Sequence, residues 1–230
     1  LSGIKLTILD CTKGKLFDEY IETVKNPKFG IGSGVNPCID CKVFMFKKAG
    51  EYAKKNKIKI IATGEVLGER PMSQTAHAMK KIDSEIGIEL LRPLSAKLLP
   101  ETQTEKEKLV DRSKFFAISG RSRKVQLELA KKYDIKFPSP AGGCLLCEKV
   151  YAGRLLDFFK YEKIITPENL SSLSSFRHFR KAGKILLGRN EKENKLLEQL
   201  NKSLKWNILA PSDNPGPTAL FQHKDDKKLA

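Results

Sequence analysis

Four cysteines form two CxxC pairs whose type and spacing could support metal or sulfur chemistry. Cys38 and Cys41 make the first pair, and Cys144 and Cys147 make the second pair much later in the chain. Two sulfurs at positions i and i+3 lie on one side of a turn. Two such pairs, brought together by folding, could therefore hold zinc or an iron–sulfur cluster. A CxxC pair also favours thiolate chemistry, which suits a redox or sulfur-relay site.

The alternative for each pair is that its cysteines are ordinary apolar residues of a core. We expect that fate for the fifth cysteine, Cys11, which ends an apolar run. The first pair follows the sequence NP and the second follows PSPAGG, so a loop rich in proline and glycine presents each pair. A helix predicted at residues 39–56 places Cys41 in its first turn, where backbone N–H groups and the helix dipole favour a thiolate.

Alternating patterns predict the elements that must position these residues. Strands are expected at residues 4–11, 58–65 and 88–93, and helices at residues 14–24, 39–56, 75–86 and 122–133. The run at 58–65 is continuously apolar, as in a strand buried on both faces of a parallel sheet. Strands that alternate with helices predict an α/β fold with an open, mostly parallel, Rossmann-like sheet.

The pattern changes after residue 147. Helices are predicted at 151–161 and 191–204, and strands at 184–190, 206–211 and 214–221. We therefore expect two domains, a larger one at residues 1–165 and a second small α/β domain at 166–230.

Two predicted strand ends carry polar residues that suit a ligand. In an open parallel sheet, ligands bind at the carboxyl ends of the strands. The loop GEVLGERPMSQ follows the buried strand, and RPLSAK places Arg92, Ser95 and Lys97 at a second strand end. The candidate nucleotide-binding residues of the first loop are Gly64, Glu65, Gly68, Arg70 and Gln74. The alternative is a glycine-containing surface loop.

Two basic segments suit a phosphate or an RNA. ISGRSRK places Arg121, Arg123 and Lys124 at the start of a helix, where an anion is favoured. FRHFRKAGK interleaves Arg177, Arg180 and Lys181 with aromatic rings that could stack on bases. The alternatives are a solvated helix end for the first segment, and an amphipathic strand with both phenylalanines in a core for the second.

The charge of the chain narrows the class of partner. The 230 residues include 43 Lys and Arg against 27 Asp and Glu, a net charge of +16, and both predicted domains are basic. A polyanion is the natural partner of such a surface, although a lysine-rich soluble protein from an AT-rich genome is the alternative. No apolar run reaches the roughly 20 residues of a membrane span. We also expect no secretory signal, and the cysteine spacing suits a reducing cytosol, so we predict a cytoplasmic protein.

Five segments together resemble a known family. NPCIDCKVFM, TGEVLGERPMSQ, RPLSAKLLP, ISGRSRK and PSPAGGCLL, in that order, resemble bacterial tRNA sulfurtransferases of the PP-loop, or adenine nucleotide alpha hydrolase-like, superfamily. Relatives include the 4-thiouridine synthetase and the tRNA 2-thiouridylase. The segment HFRKAGKILLGRNEKENKLLEQL resembles the RNA-binding domain of NFACT proteins.

This resemblance implies ATP-dependent tRNA thiolation. ATP with Mg²⁺ would adenylate a carbonyl oxygen of a uridine or cytidine, and a sulfur carried by a cysteine or an iron–sulfur cluster would displace AMP. By the family's pattern, Cys38, Cys41 and Cys144 would hold a [4Fe–4S] cluster. Cys147 departs from that pattern, and it is either incidental or the fourth ligand of a closed zinc site. The implied partners are tRNA, a sulfur donor such as a cysteine desulfurase, and a second copy in a homodimer.

One motif of the superfamily does not occur in the sequence. The pyrophosphate loop, SGGxDS, grips the ATP phosphates and normally follows the first strand, and we expect that this strand, its loop and a helix are missing here. Three explanations stand: the sequence is truncated, the ATP-binding half comes from elsewhere, or the chain does not use ATP. The rival functions are a non-catalytic RNA-binding protein with a structural zinc site and an adenylating enzyme for a non-RNA acid or amide.

Overall fold

The computed structural model describes residues 5–137, 143–181, 183–212 and 214–222. The chain divides into two compact units, Leu1–Cys144 and Leu145–Ala230. The division therefore falls earlier in the chain than the boundary that we predicted after residue 165, and it separates Cys144 from Cys147. Most of the loop before Cys144, residues 138–142, lies outside the described residues.

Helices dominate the first unit. They are α1 (Gly14–Lys25), α2 (Cys38–Lys55), α3 (Ala76–Ile86), α4 (Gln103–Lys106) and α5 (Lys124–Lys132). The predicted helices all form, with ends shifted by one or a few residues. Helix α3 shows why the ends were readable: the Thr75 side chain accepts a hydrogen bond from the Ala78 N–H, and Gly87 ends the helix at a φ of 63°.

The expected parallel sheet of the first unit is not confirmed. Its described residues form only two isolated parallel bridges, Ala62 with Leu91 and Leu67 with Ser119. The described part of the strand predicted at 4–11 is unpaired, with Leu6 80% and Ile8 77% exposed. The prediction of regular strands was wrong because an apolar pattern makes a strand only where neighbouring backbones accept its hydrogen bonds.

The core of the first unit lies where α2 packs on α3. Val43 and Phe46 of α2 meet Ile82 and Ile86 of α3, and Leu90 closes the cluster. Ile82 is completely buried, and the other four are at most 9% exposed. This cluster holds the start of α2, and with it the first CxxC pair, in a fixed position.

The second unit is a small mixed α/β domain. Its helices are α6 (Lys149–Tyr161), α7 (Pro167–Ser171) and α8 (Glu191–Leu204). Its strands are β1 (Arg177–Arg180), β2 (Lys184–Leu187), β3 (Asn207–Leu209) and β4 (Ala219–Phe221). The sheet is antiparallel throughout, in the order β1-β2-β4-β3, and Phe176, Leu186, Leu197 and Leu220 form the core. None of the helices in the described part of the chain has the length and apolarity that a bilayer crossing demands.

Candidate functional site

The first CxxC pair lies at the start of α2. Cys38 is the first residue of the helix, and its thiol donates a hydrogen bond to Asn36 Oδ1 over 3.1 Å. Cys41 lies in the first turn, as predicted, with its sulfur 3.6 Å from the hydroxyl oxygen of Tyr20. Between them, Asp40 accepts hydrogen bonds from the backbone N–H groups of the preceding loop at residues 28 and 29. The helix start and the loop before it are thus one rigid element.

Tyr20 of α1 is the centre of a group of thiols. Burial raises the pKa of Tyr20, and the nearby charges of Cys41, Cys144 and Cys11 raise it further. Burial also raises the pKa of Cys41. The hydrogen bond with Tyr20 lowers this pKa, whereas the charges of Cys144 and Cys38 raise it. Cys11, Cys38, Cys41 and Cys144 thus each act electrostatically on Tyr20 or on Cys41.

Cys11 is the member of this group that we misassigned. We expected it in a core, but it is partly exposed and lies within electrostatic range of Tyr20. No sequence motif links Cys11 to the CxxC pairs, so its place could be found only from the fold.

Three of the four predicted thiol ligands, Cys38, Cys41 and Cys144, belong to the first unit. Cys147 belongs to the second unit. Over the described ranges, no group of three or more His, Cys, Asp or Glu side chains is arranged to hold a metal ion. The donor chemistry of the thiols suits iron–sulfur or zinc.

A buried charge network links the CxxC helix to the predicted strand ends. Glu65, 3% exposed, forms ion pairs with Lys42 of α2 and with Arg92, both over 3.0 Å. The Arg92 guanidinium also donates to both carboxylate oxygens of Asp83, over 2.9 and 2.7 Å. Burial opposes the charged form of Arg92, but its bonds and charges from Asp83 and Glu65 outweigh burial and raise the pKa. The sequence suggested Glu65 as a ligand contact, whereas the structure gives it this internal role.

The loops that we expected at strand ends converge. The Gly120 N–H donates to the Leu67 carbonyl over 2.8 Å, and Ser95 Oγ accepts from the Leu67 N–H and donates to the carbonyl of Ile118. A Cβ atom on Gly68 would lie 3.5 Å from the Gly120 nitrogen. The two predicted ligand loops, 64–74 and 118–124, therefore meet backbone to backbone.

Gln74 is a buried polar side chain at this junction. Its backbone carbonyl accepts the Gly68 N–H over 2.7 Å, and the residue is 6% exposed. Its side-chain oxygen is buried and has no hydrogen-bond partner among the described residues. A buried acceptor in that state calls for a partner, such as a water molecule or a donor group of a ligand. The loop of the first CxxC pair also reaches this place, because a Cβ on Gly32 would lie 3.1 Å from the Met72 side chain.

The predicted basic residues of the first unit differ in their availability. Arg123 donates to Glu69 over 3.1 Å, which fixes the 118–124 loop to the 64–74 loop. Arg70, Arg121 and Lys124 are exposed, and within the described ranges their side chains have no ion pair or hydrogen bond. These three cations are therefore free to meet phosphates beside the loop junction.

The predicted RNA contacts of the second unit also divide. Arg180 donates to both carboxylate oxygens of Asp157 and to Glu162, and its guanidinium lies 4.3 Å from the Tyr161 ring centre. Arg177 and Lys181 are exposed. Arg180 thus serves the packing of the unit, whereas the other two remain available to a ligand.

Comparison with known proteins gives one match. No curated protein and no solved structure is significantly similar to the chain. The family model described as thiamine biosynthesis protein (ThiI) matches residues 15–116, a little under half of the chain. The matched segment contains Tyr20, the first CxxC pair and the Glu65 network. Over these residues the chain is similar to the ThiI family.

Proposed function

We propose that the chain acts in ATP-dependent thiolation of tRNA, by sulfur transfer to an adenylated nucleobase. The similarity of residues 15–116 to the ThiI family supports the reaction class. The observation that carries the proposal for this chain is the link between thiols and ligand loops. Lys42, the residue after Cys41, is ion-paired to Glu65 in the 64–74 loop. The helix that carries the thiols suited to sulfur and the loop suited to a nucleotide are therefore joined by an ion pair within the first unit.

The thiols supply the sulfur chemistry in this proposal. The terminal sulfur of a persulfide on Cys38, Cys41 or Cys144 attacks the adenylated base carbon, the bond from that carbon to oxygen breaks, and AMP leaves. A second thiolate of this set then attacks the cysteine sulfur of the resulting disulfide, which forms a cysteine–cysteine disulfide and releases the thiolated base. A [4Fe–4S] cluster or zinc on these cysteines is part of the sequence-based proposal.

The junction of the 64–74 and 118–124 loops supplies the groups that bind the nucleotide and the phosphates in this proposal. Nothing lies within 4 Å of the position of a Cβ at Gly120, so a ligand can approach the backbone closely there, and Gln74 offers an unpaired acceptor. Exposed Arg70, Arg121 and Lys124 provide positive charge for the phosphates of ATP with Mg²⁺ or of tRNA. The net charge of +16 suits tRNA as the substrate, with a cysteine desulfurase as the sulfur donor, in the cytoplasm.

The test is complementation of a strain that lacks the gene, with thionucleosides in its tRNA measured by mass spectrometry. We expect Cys38→Ala and Cys144→Ala to abolish the gene-dependent thionucleoside. Cys147→Ala is the matched control, because it removes a thiol from the same CLLC motif but from the second unit, and it should retain activity. Wild-type levels in both Cys38→Ala and Cys144→Ala would refute the sulfur role.

A non-catalytic RNA-binding protein with structural zinc is the second candidate, and the net charge and the exposed cations favour it equally. Metal and acid-labile sulfide content of protein purified without oxygen separates the two. Iron with sulfide supports a cluster that carries sulfur, zinc without sulfide supports the second candidate, and a metal-free active protein supports a cysteine persulfide.

A further inference from the structure

The register of the second unit's sheet places a row of mostly apolar side chains on one face. Across the four strands, Phe179 pairs with Ile185, Ile185 with Phe221, and Phe221 with Asn207. Two residues along the strands, Arg177 pairs with Leu187, and Leu209 lies in the same row. Side chains two residues apart share a face, so both rows form one surface, which we call the open face.

The opposite face of the sheet is the covered one. Leu186 and Leu220 alternate with the residues of the open face, and they pack against Leu197 of α8. All three are at most 1% exposed. On the open face, by contrast, Phe179 is 52% and Leu209 62% exposed, and Ile185, Leu187 and Phe221 are only partly buried.

Positive charge borders the open face at β1. Arg177 lies in its outer row, and Lys181 directly follows β1. Both are exposed, and their side chains form no ion pair or hydrogen bond within the part of the chain that the structure describes. The neighbouring Arg180 points to the covered face and is neutralised by Asp157 and Glu162. The free charge thus lies beside the exposed aromatic ring.

An apolar aromatic surface edged by free cations fits single-stranded nucleic acid. Every base has a π face that can stack on an aromatic ring, and the backbone phosphates attract the cations. Phe179 and Phe221 lie two strands apart, about 10 Å from the usual strand spacing, so two separate bases could stack on them. The bases of a duplex are already stacked and paired, so a duplex could offer this face only its phosphates.

We propose that the open face binds unpaired nucleotides of an RNA by stacking on Phe179 and Phe221, with Arg177 and Lys181 on the phosphates. The proposal deepens the proposed function by giving the tRNA a single-stranded contact in the second unit. It concerns binding alone and involves none of the thiols.

Fluorescence anisotropy with the full chain and a labelled oligouridylate tests the stacking. We expect Phe179→Ala to weaken binding about tenfold and Phe179→Trp to retain it, because stacking on an aromatic ring contributes most of the affinity for a base. Ile164→Ala is the control: Ile164 is 74% exposed, it belongs to no strand, and its loss should change nothing. An unlabelled RNA duplex should compete poorly.

A second pair of variants tests the phosphate contact. Arg177→Gln and Lys192→Gln remove the same charge, but Lys192 is on α8, outside the sheet. We expect only Arg177→Gln to reduce the salt dependence, by about one unit in the slope of log K against log salt. Wild-type affinity in Phe179→Ala, or equal competition by the duplex, would overturn the proposal. A wild-type dimer that Phe179→Ala dissociates would also overturn it, because the face would then be a contact between copies.

The two proposals fail separately. If Cys38→Ala loses the thionucleoside while Phe179→Ala binds oligouridylate normally, the open face is wrong and the sulfur chemistry stands. The reverse result would leave an RNA-binding protein without thiolation.

Discussion

Lys42 and Glu65 form an ion pair over 3.0 Å that joins the helix of the first CxxC pair to the 64–74 loop. Glu65 is buried, and its other oxygen pairs with Arg92, which in turn holds Asp83 of α3. One carboxylate therefore fixes three separate segments of the chain around the candidate site. This arrangement ties the position of the thiols to that of the ligand loops.

Removal of the Glu65 charge should destabilise the first unit. Glu65→Gln keeps the shape of the side chain but leaves Lys42 and buried Arg92 with less compensation. We expect a loss of about 3 kcal/mol in the free energy of unfolding, because breaking a buried pair leaves an uncompensated charge. Urea unfolding followed by circular dichroism measures it. The control is Glu85→Gln, whose partner Lys28 is exposed, and it should cost much less stability than Glu65→Gln.

Substitution of Gln74 should reduce thionucleoside formation without a loss of stability. Gln74→Met replaces a buried, unpaired acceptor by an apolar side chain, so we expect stability to be unchanged or raised by about 1 kcal/mol. If Gln74 contacts the nucleotide, thionucleoside formation should still fall at least about tenfold, the energy of one lost hydrogen bond to a charged or polar ligand. Gln103→Met, on the exposed surface of α4, should affect neither quantity. Full activity in a stable Gln74→Met protein would exclude a ligand contact.

The junction of the two ligand loops should not tolerate a side chain at Gly120. Gly120 has a φ of +83°, in the left-handed region, so Gly120→Ala is strained even though the space beside it is open. We expect a loss of about 1 kcal/mol, read from the thermal unfolding midpoint. Gly64→Ala in the same loop system has neither a left-handed φ nor a neighbour within 4 Å, and it should leave the midpoint unchanged.

His178 should make the second unit sensitive to mild acid. Burial lowers the pKa of His178 from 6.5 to about 4. The charges of Lys184 and Arg154 lower it as well, whereas two hydrogen bonds to backbone carbonyls raise it. The unfolded chain therefore binds a proton that the folded unit excludes, and stability falls as the pH drops from about 6.5 towards 4.

We expect the second unit to be about 1–2 kcal/mol less stable at pH 5 than at pH 7, after allowance for its partial exposure. Trp206, the only tryptophan, packs against the core of this unit, so its fluorescence during urea unfolding reports the change. His178→Gln should remove the pH dependence between these values. An equal slope in wild type and variant would assign the effect to another group.

The sequence predicted helices well because their signals are local. Helix α8 occurs at Glu191–Leu204, as predicted, and its N-cap Asn190 accepts the Glu193 N–H. The strands of the first unit failed for the opposite reason. The apolar run at 58–65 predicted a buried strand, but Ile58 is 48% exposed and the segment pairs with only one neighbour, at Ala62 and Leu91. Pairing depends on distant segments, which periodicity does not reveal.

In the candidate site, too, the residues of local motifs could be predicted from the sequence, whereas contacts between distant segments could not. Cys38 and Cys41 were readable from their motif, and the 64–74 loop from its place after an apolar run. The ion pairs of the Glu65 network could not be predicted from the sequence. Lys42 and Asp83 carry no motif of their own, and they reach Glu65 and Arg92, respectively, only after folding. Cys11 was missed, and Phe176, which could have been a stacking residue, is 1% exposed in the core of the second unit.

The network of Lys42, Glu65, Asp83 and Arg92 also bears on how this sequence can diverge. Two cations and two carboxylates from four separate segments neutralise one another, so the loss of any one of them leaves a charge that the remaining three cannot balance. Homologous chains should therefore keep or exchange these four positions together, and correlated substitution across an alignment would mark which relatives hold the CxxC helix against the same loop.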